Sequence, residues 1–330
     1  MKTLRSQTSA ILAMTLITLA WVAPFAFGHT SDLHAGLRSS SKPVWQDVDS
    51  FGGLPHSIAF HSNRDGNNEV YVTNPDGSDQ IRLTLNSRND IRPDISPNGQ
   101  QIIFASNRIT ETNLSGDFEI FVISLEGEAG GVRQLTFNAS EDTWPRWSPN
   151  GQWVAFHSNV DGNFEIYVIR PDGTDLTRVT DYAGLDQYPE WSPNGKQLAI
   201  RRDTDIYVID LDGSNPIQLT DEAIGFNQMA SWSPDGKRLA FLSNRLGYGS
   251  VFMMDVDGSN QVNLTPKPDE VPASAWGSRA PAWSRNGQSI YFTGRRPETS
   301  VNENVFVMNA DGTGVTQLTS TAVSAEAAVR

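Results

Sequence analysis

Short apolar runs of three or four residues recur along the chain, separated by polar segments rich in Gly, Asn, Asp and Pro. One set is Ile58-Ala59-Phe60, Ile102-Ile103-Phe104, Val154-Ala155-Phe156, Leu198-Ala199-Ile200, Leu239-Ala240-Phe241 and Ser289-Ile290-Tyr291-Phe292. A second set is Val70-Tyr71-Val72, Ile120-Phe121-Val122, Ile166-Tyr167-Val168, Ile206-Tyr207-Val208, Val251-Phe252-Met253 and Val305-Phe306-Val307. β-Branched and aromatic triplets suit a pleated, half-buried surface, so both sets predict strands. Ahead of the first set stands Trp-Ser-Pro-Asn/Asp-Gly, at Trp147, Trp191 and Trp232. Weaker copies begin at Ile95 and Trp283, and Phe51 stands where the first Trp is due. After the second set come Asp-Gly turns at Asp76, Asp172, Asp212, Asp257 and Asp311, with Glu126-Gly127 as a variant. Asp-Gly between apolar runs is a strong hairpin marker.

Each unit closes on Leu-Thr or Val-Thr, at Leu83, Leu135, Val179, Leu219, Leu264 and Leu318. Those pairs fall 52, 44, 40, 45 and 54 residues apart. Four short strands in about 40–45 residues is the period of a β-propeller blade. The sequence therefore predicts an all-β, six-bladed β-propeller of four-stranded antiparallel blades over residues 44–320. Ile109–Asp117, Pro266–Ser278 and Pro297–Asn304 read as loop insertions. The first blade lacks a clear inner strand. Trp45–Phe51 or residues 321–330 could supply it, the latter being either a tail or a closing strand. Period-two patterning and the turn dipeptides exclude a helical repeat.

The pattern Pro-x-Trp-Ser-Pro-Asn/Asp-Gly, Ile/Leu-Ala-Phe, Ser-Asn-Arg-Asp-Gly-Asn-x-Glu-Ile-Tyr-Val, Asp-Gly, Leu-Thr resembles the WD40-like repeat of the TolB propeller family. The resemblance implies an exported propeller that binds partner proteins, as an envelope-assembly accessory does. It covers the propeller part only; the α/β domain that precedes the TolB propeller has no counterpart in the sequence.

Composition narrows the functional classes. Residues 1–28 read as a secretory signal peptide: Lys2 and Arg5, an apolar run Ala10–Ala23, then Ala26-Phe27-Gly28. A polar lead, residues 29–43, follows, so the mature chain is expected in the periplasm or outside the cell, without stable membrane insertion after cleavage. The chain carries 25 Lys+Arg against 38 Asp+Glu, and loss of Lys2 and Arg5 makes the balance more acidic still. That excludes a nucleic-acid footprint and attraction to an anionic membrane. With no Cys, thiol catalysis and cysteine zinc sites are excluded, and a chain of this length builds its core without disulfides.

Candidate chemistry lies in the loops. Loops entering the inner strands share a face with the Ser-Asn-Arg loops in a meander. That face is expected to carry Arg64, Arg108, Arg202, Arg245, Arg279 and Arg295 with Asp142, Trp144 and Tyr188. Planar donors and aromatics suit protein or peptide contacts, so a protein or peptide partner is expected there, on a monomeric propeller. Asp65, Asn67 and Glu69, and likewise Asp161, Asn163 and Glu165, offer hard oxygens that calcium favours. The same spacing suits loops in which Asp and Asn bond their own backbone. His61 and His157 share one repeat offset and are expected to be half-exposed. No Gly-x-Ser-x-Gly or His-Glu-x-x-His motif occurs. The leading reading is a non-catalytic binding module. The alternatives are a channel-site enzyme, such as a metal-assisted glycan lyase or hydrolase, and an envelope-assembly accessory similar to TolB.

Overall fold

The computed structural model describes residues 58–221, 225–268, 277–295, 304–319 and the backbone of 327–329. All lie in the compact unit spanning residues 43–330. The expected signal segment 1–28, the lead 29–43 and the Trp45–Phe51 strand candidate fall outside the described residues.

Six separate four-stranded antiparallel sheets form the blades. Blade 1 comprises Ala327–Val329, Ile58–Ser62, Glu69–Thr73 and Ile81–Arg82, from the innermost strand outward. Blade 2 holds Asp90–Ile95, Gln101–Ser106, Glu119–Ser124 and Val132–Gln134. Blade 3 holds Asp142–Trp147, Val154–Ser158, Glu165–Ile169 and Thr177–Arg178, and blade 4 Asp186–Trp191, Gln197–Arg202, Asp205–Asp210 and Ile217–Gln218. Blade 5 holds Asn227–Trp232, Arg238–Ser243, Ser250–Asp255 and Val262–Asn263, and blade 6 Gly277–Trp283, Ser289–Arg295, Asn304–Asn309 and Thr316–Gln317. Ala327–Val329 pairs with Ile58–Phe60, so a C-terminal segment supplies the inner strand of the first blade. Pairing of this kind leaves no free inner edge on that blade. Among the described residues the one helix is a 3₁₀ turn, Gly127–Gly130, and no helix is long and apolar enough to cross a membrane.

The repeat residues each have a local task. In Ser148-Pro149-Asn150-Gly151 the Ser148 hydroxyl accepts the Trp153 N–H at 2.9 Å, and the Asn150 carboxamide accepts the Gln152 N–H at 3.0 Å. Thr180 of the closing Val-Thr pair accepts the Ile166 N–H at 2.9 Å and donates to Glu165 at 2.5 Å. The tryptophans are wedges between blades. Trp191 packs on Ala155, Ile166 and Val179 of blade 3 and on Leu198 and Ile200 of its own blade. Trp147, Trp232 and Trp283 do the same at the next boundaries, and Ile95 takes the place in blade 2. Burial of these large apolar faces is what makes neighbouring blades adhere.

Every inner strand of blades 2–6 carries the same irregularity. The register with its partner slips between the second and fifth residue in blades 2–5, and between the third and sixth in blade 6. The third or fourth residue there adopts a left-handed backbone: Arg92, Trp144, Tyr188, Met229 and Ala280, with φ between 49° and 57°. Such a conformation costs a residue with a Cβ roughly 1–2 kcal/mol. The bulge turns these side chains toward the axis.

Candidate functional site: the axial cavity

The inner strands of blades 2–6 line an open cavity of about 270 Å³. Two rings of side chains line it. The bulge residues Trp144, Tyr188, Met229 and Ala280 form one ring. Two positions on, immediately before the wedge residue, Asp94, Arg146, Glu190, Ser231 and Ala282 form the second. The lining then reaches Pro97, Pro149, Pro193 and Pro234 of the Ser-Pro-Asn/Asp turns. It thus extends to the face opposite the Ser-Asn-Arg loops.

The wall is uneven. On blades 2–4 it is aromatic and charged. The Arg92 guanidinium lies 4.1 Å from the Trp144 ring centre, and Trp144 meets Tyr188 edge-on at 4.5 Å. Arg146 pairs with Glu190 at 2.9 Å. On blades 5 and 6 the same two rings hold Met229, Ser231, Ala280 and Ala282, which leave room. The lower ring also ties blades together: Asp94 accepts the Trp147 N–H at 2.7 Å, and Ser231 accepts the Trp283 N–H at 3.2 Å. At the turn face Arg285, which stands where the other copies have Pro, donates to the Pro97 carbonyl at 3.1 Å. That bond links blade 6 to blade 2.

His157 supports this wall from behind. Its Nδ1 accepts the Tyr188 N–H at 3.1 Å, and its Nε2 lies 2.7 Å from the Thr143 hydroxyl. An accepting Nδ1 requires the proton on Nε2, so the ring is neutral with one tautomer fixed. Burial, with the Arg92 charge adding to it, pushes its pKa down to about 3. His61 is likewise held well below its ordinary value by burial. The half-exposed placement expected for both is corrected: they are 5% and 2% exposed, because the first strand outside the inner one is covered on both faces.

Of the residues singled out from sequence, Trp144 and Tyr188 meet in the cavity wall. Asp142 does not; it is buried at a blade boundary. The arginines turn inward along their own blades. Arg64 bonds Ser62 at 2.9 Å and Gln80 at 2.6 Å and lies 4.6 Å from the Tyr71 ring. Arg108 pairs with Asp90 at 2.9 Å over Phe104 and Phe121. Arg202 grips Asp186 through two bonds, at 2.9 and 2.7 Å, over Tyr182 and Tyr207. Arg245 bonds Ser243, Gln261 and Asn227 over Phe252. These guanidinium groups are already engaged within the fold. Arg279 and Arg295 are exposed. The sequence reading missed Asp94, Arg146, Glu190, Met229 and Ser231. Their fixed offsets from the wedge Trp are the signal that finds them.

The oxygen-rich loops do not assemble into a cage. Asn67 and Asn163 donate to Glu69 and Glu165, each at 2.9 Å. Glu69 also receives Arg82 at 2.8 Å and Thr84, and Glu165 receives Arg178 at 3.2 Å and the Tyr182 N–H. Asp65 and Asp161 accept the hydroxyls of Tyr71 and Tyr167. Donors therefore meet the carboxylates where a cation would need oxygens. Among the described residues no group of three or more His, Asp or Glu is placed to hold a metal ion.

The sequence matches the TolB beta propeller domain family over residues 109–205 and 179–326. The chain belongs to that family. The Tol-Pal system protein TolB of Desulfosudis oleivorans is 29% identical over 154 residues, 46% of this chain and 33% of that protein. Dipeptidyl-peptidase 5 of Porphyromonas endodontalis is 28% identical over 90 residues, 27% of this chain and 13% of that protein. The chain thus spans a third or less of the length of these TolB and peptidase relatives. The crystal structure of TolB from Acinetobacter baumannii superposes with a TM-score of 0.69 at 22% identity, over 84% of this chain and 67% of that one. That likeness is one of fold.

Proposed function

We propose that this TolB-family propeller is an exported, non-catalytic binding module that engages a protein or peptide of the cell envelope at the axial cavity. The observation carrying the reading is the uneven wall: Trp144, Tyr188 and the Arg146–Glu190 pair face the small residues of blades 5 and 6 across open space. Rigid aromatics beside a planar cation supply large contact area and directional donors, the composition of interaction hot spots. The Tol-Pal name of the Desulfosudis oleivorans relative supports an envelope role. The basic and apolar order of residues 1–28 supports export. The match to dipeptidyl-peptidase 5, limited to 13% of that protein, supports kinship of repeat, not of activity.

The test is capture of a partner from the native envelope with the exported protein, whose N-terminus near His29 is read by mass spectrometry. Met229→Trp is the decisive variant. Trp144 already holds the same left-handed conformation, so the backbone accepts the larger ring, which fills the open side. Retained folding with at least tenfold weaker capture is expected. Unchanged capture moves the site off the axis.

A further inference from the structure

At the five boundaries from blade 1 to blade 6 a pair of polar residues, most of them buried, holds one repeat position. The first residue of a blade's third strand meets the first residue of the next blade's inner strand. At the boundary of blades 1 and 2 they are Glu69 and Asp90, held by Arg82 at 2.8 Å and Arg108 at 2.9 Å. At blades 3 and 4 they are Glu165 and Asp186, held by Arg178 at 3.2 Å and Arg202 at 2.7 Å. Blades 4 and 5 use Asp205 and Asn227, bonded to each other at 3.1 Å, with Arg245 on Asn227 at 3.0 Å. At blades 5 and 6 the corresponding positions are Ser250 and Ser278, the latter second in its strand; both are buried and carry no charge.

The boundary of blades 2 and 3 breaks the rule. It has both acids, Glu119 and Asp142, each buried. It has neither arginine. Gln134 stands at the repeat position of Arg82 and Arg178, and Val160 at that of Arg108. Glu119 receives the Thr136 hydroxyl and, at 2.7 Å, the Asn138 N–H; Asp142 receives the Asn138 side chain at 2.7 Å. Among the described residues, the charged groups that act most on the pair are Asp117, from the Ile109–Asp117 insertion, and Glu141, from the loop between the blades. Both are acidic. Two buried carboxylates in this setting cannot both ionise cheaply.

We propose that Glu119 and Asp142 share one proton that takes the place of the missing arginines, which makes the boundary of blades 2 and 3 a pH-operated joint of the propeller. Protonated, the pair bonds internally and the blades close as at the other boundaries. Ionised, the two acids repel each other and Asp117, and this joint opens first. Burial drives the carboxyls upward, with Glu119 reaching about 8 against an ordinary 4.5, and Asp142 displaced in the same direction. A folded pKa above the unfolded one stabilises below the unfolded value, and that stability is lost as pH rises through the folded value. The window therefore runs from about pH 4.5 to about pH 8.

The experiment is thermal unfolding of the full chain between pH 5 and pH 9, with infrared detection of the protonated carboxyl at neutral pH. The wild type should show the carboxylic-acid band and a Tm that falls by several degrees toward pH 9. Glu119→Gln should remove the band and flatten the profile. Gln134→Arg, which supplies the cation used by blades 1 and 3, should do the same while keeping Glu119. If Glu119→Gln fails to fold, the Gln134→Arg profile decides. An absent band in the wild type, or equal slopes in wild type and Gln134→Arg, overturns the proposal.

Discussion

Replacing Trp191 by Ala separates the wedge role of the repeat tryptophan from a role in recognition. The side chain is 5% exposed and fills the seam between blades 3 and 4. Emptying a large aromatic site costs about 3–5 kcal/mol when the surroundings relax only in part. Relaxation is limited here, because Ala155 and Leu198 stand on paired strands that cannot move in alone. The indole Nε1 also donates to the Arg146 carbonyl at 3.1 Å, a bond worth about 1 kcal/mol net. Water at the cavity wall can replace that partner, so a total near 4 kcal/mol is expected. For a domain of this size that lowers Tm by roughly 8–16 °C. Trp191→Phe keeps most of the apolar surface and loses the N–H, and should cost about 1–2 kcal/mol. Urea unfolding monitored by far-UV circular dichroism measures both, with an unchanged m-value showing that only the native state has weakened. If Trp191→Ala unfolds at the wild-type midpoint but no longer captures a partner, the tryptophan is a binding residue and the wedge argument fails.

Two further outcomes are expected. Gly213→Ala should cost more than the roughly 1–2 kcal/mol of a left-handed residue, since its Cβ would lie 2.1 Å from the Val179 carbonyl oxygen of the preceding blade; Gly236→Ala, with φ of 70° and open space around it, should cost only the backbone part, and equal midpoints in urea would remove the interblade contact from the account. Arg202→Met should destabilise by about 3 kcal/mol at neutral pH by leaving the buried Asp186 carboxylate without its cation; burial already displaces that carboxyl upward, so the loss should shrink at pH 5, and a pH-independent loss would mean that packing on Tyr182 and Tyr207 is what matters.

The blades were legible because their determinants are local. The Ser-Pro-Asn-Gly turn, the Asp-Gly turn and the Leu-Thr closure each act within a few residues, and all appear in the sequence at one offset. The cavity was legible only in part. Trp144 and Tyr188 stand out as aromatics, yet the pattern places them in loops. Simple alternation along an inner strand would also assign the wrong partners to the axis, since the left-handed bulge shifts the register midway. Arg146 and Glu190 are invisible until that shift is known. The orientation of the arginines was hidden for another reason. Ser-Asn-Arg at a loop suggests an outward cation, but the next strand's Tyr71, Phe121 or Phe252 offers a flat apolar shelf. A guanidinium stacks there more favourably than it extends into water.

The pairing of Ala327–Val329 with Ile58–Phe60 joins segments about 270 residues apart. Chain entropy opposes that contact more than any other in the molecule, since closure cost grows with the length of the intervening loop. The remaining pairings of each blade lie within one repeat. Folding is therefore expected to divide into a fast local phase and one slow closing event, which would gate the acquisition of kinetic stability. Until that event, the Ile58–Phe60 edge is a template for strand addition by any other extended chain. A concentrated pool of nascent propellers is thus exposed to exchange of the closing strand between molecules, and dilution during refolding favours the closed ring.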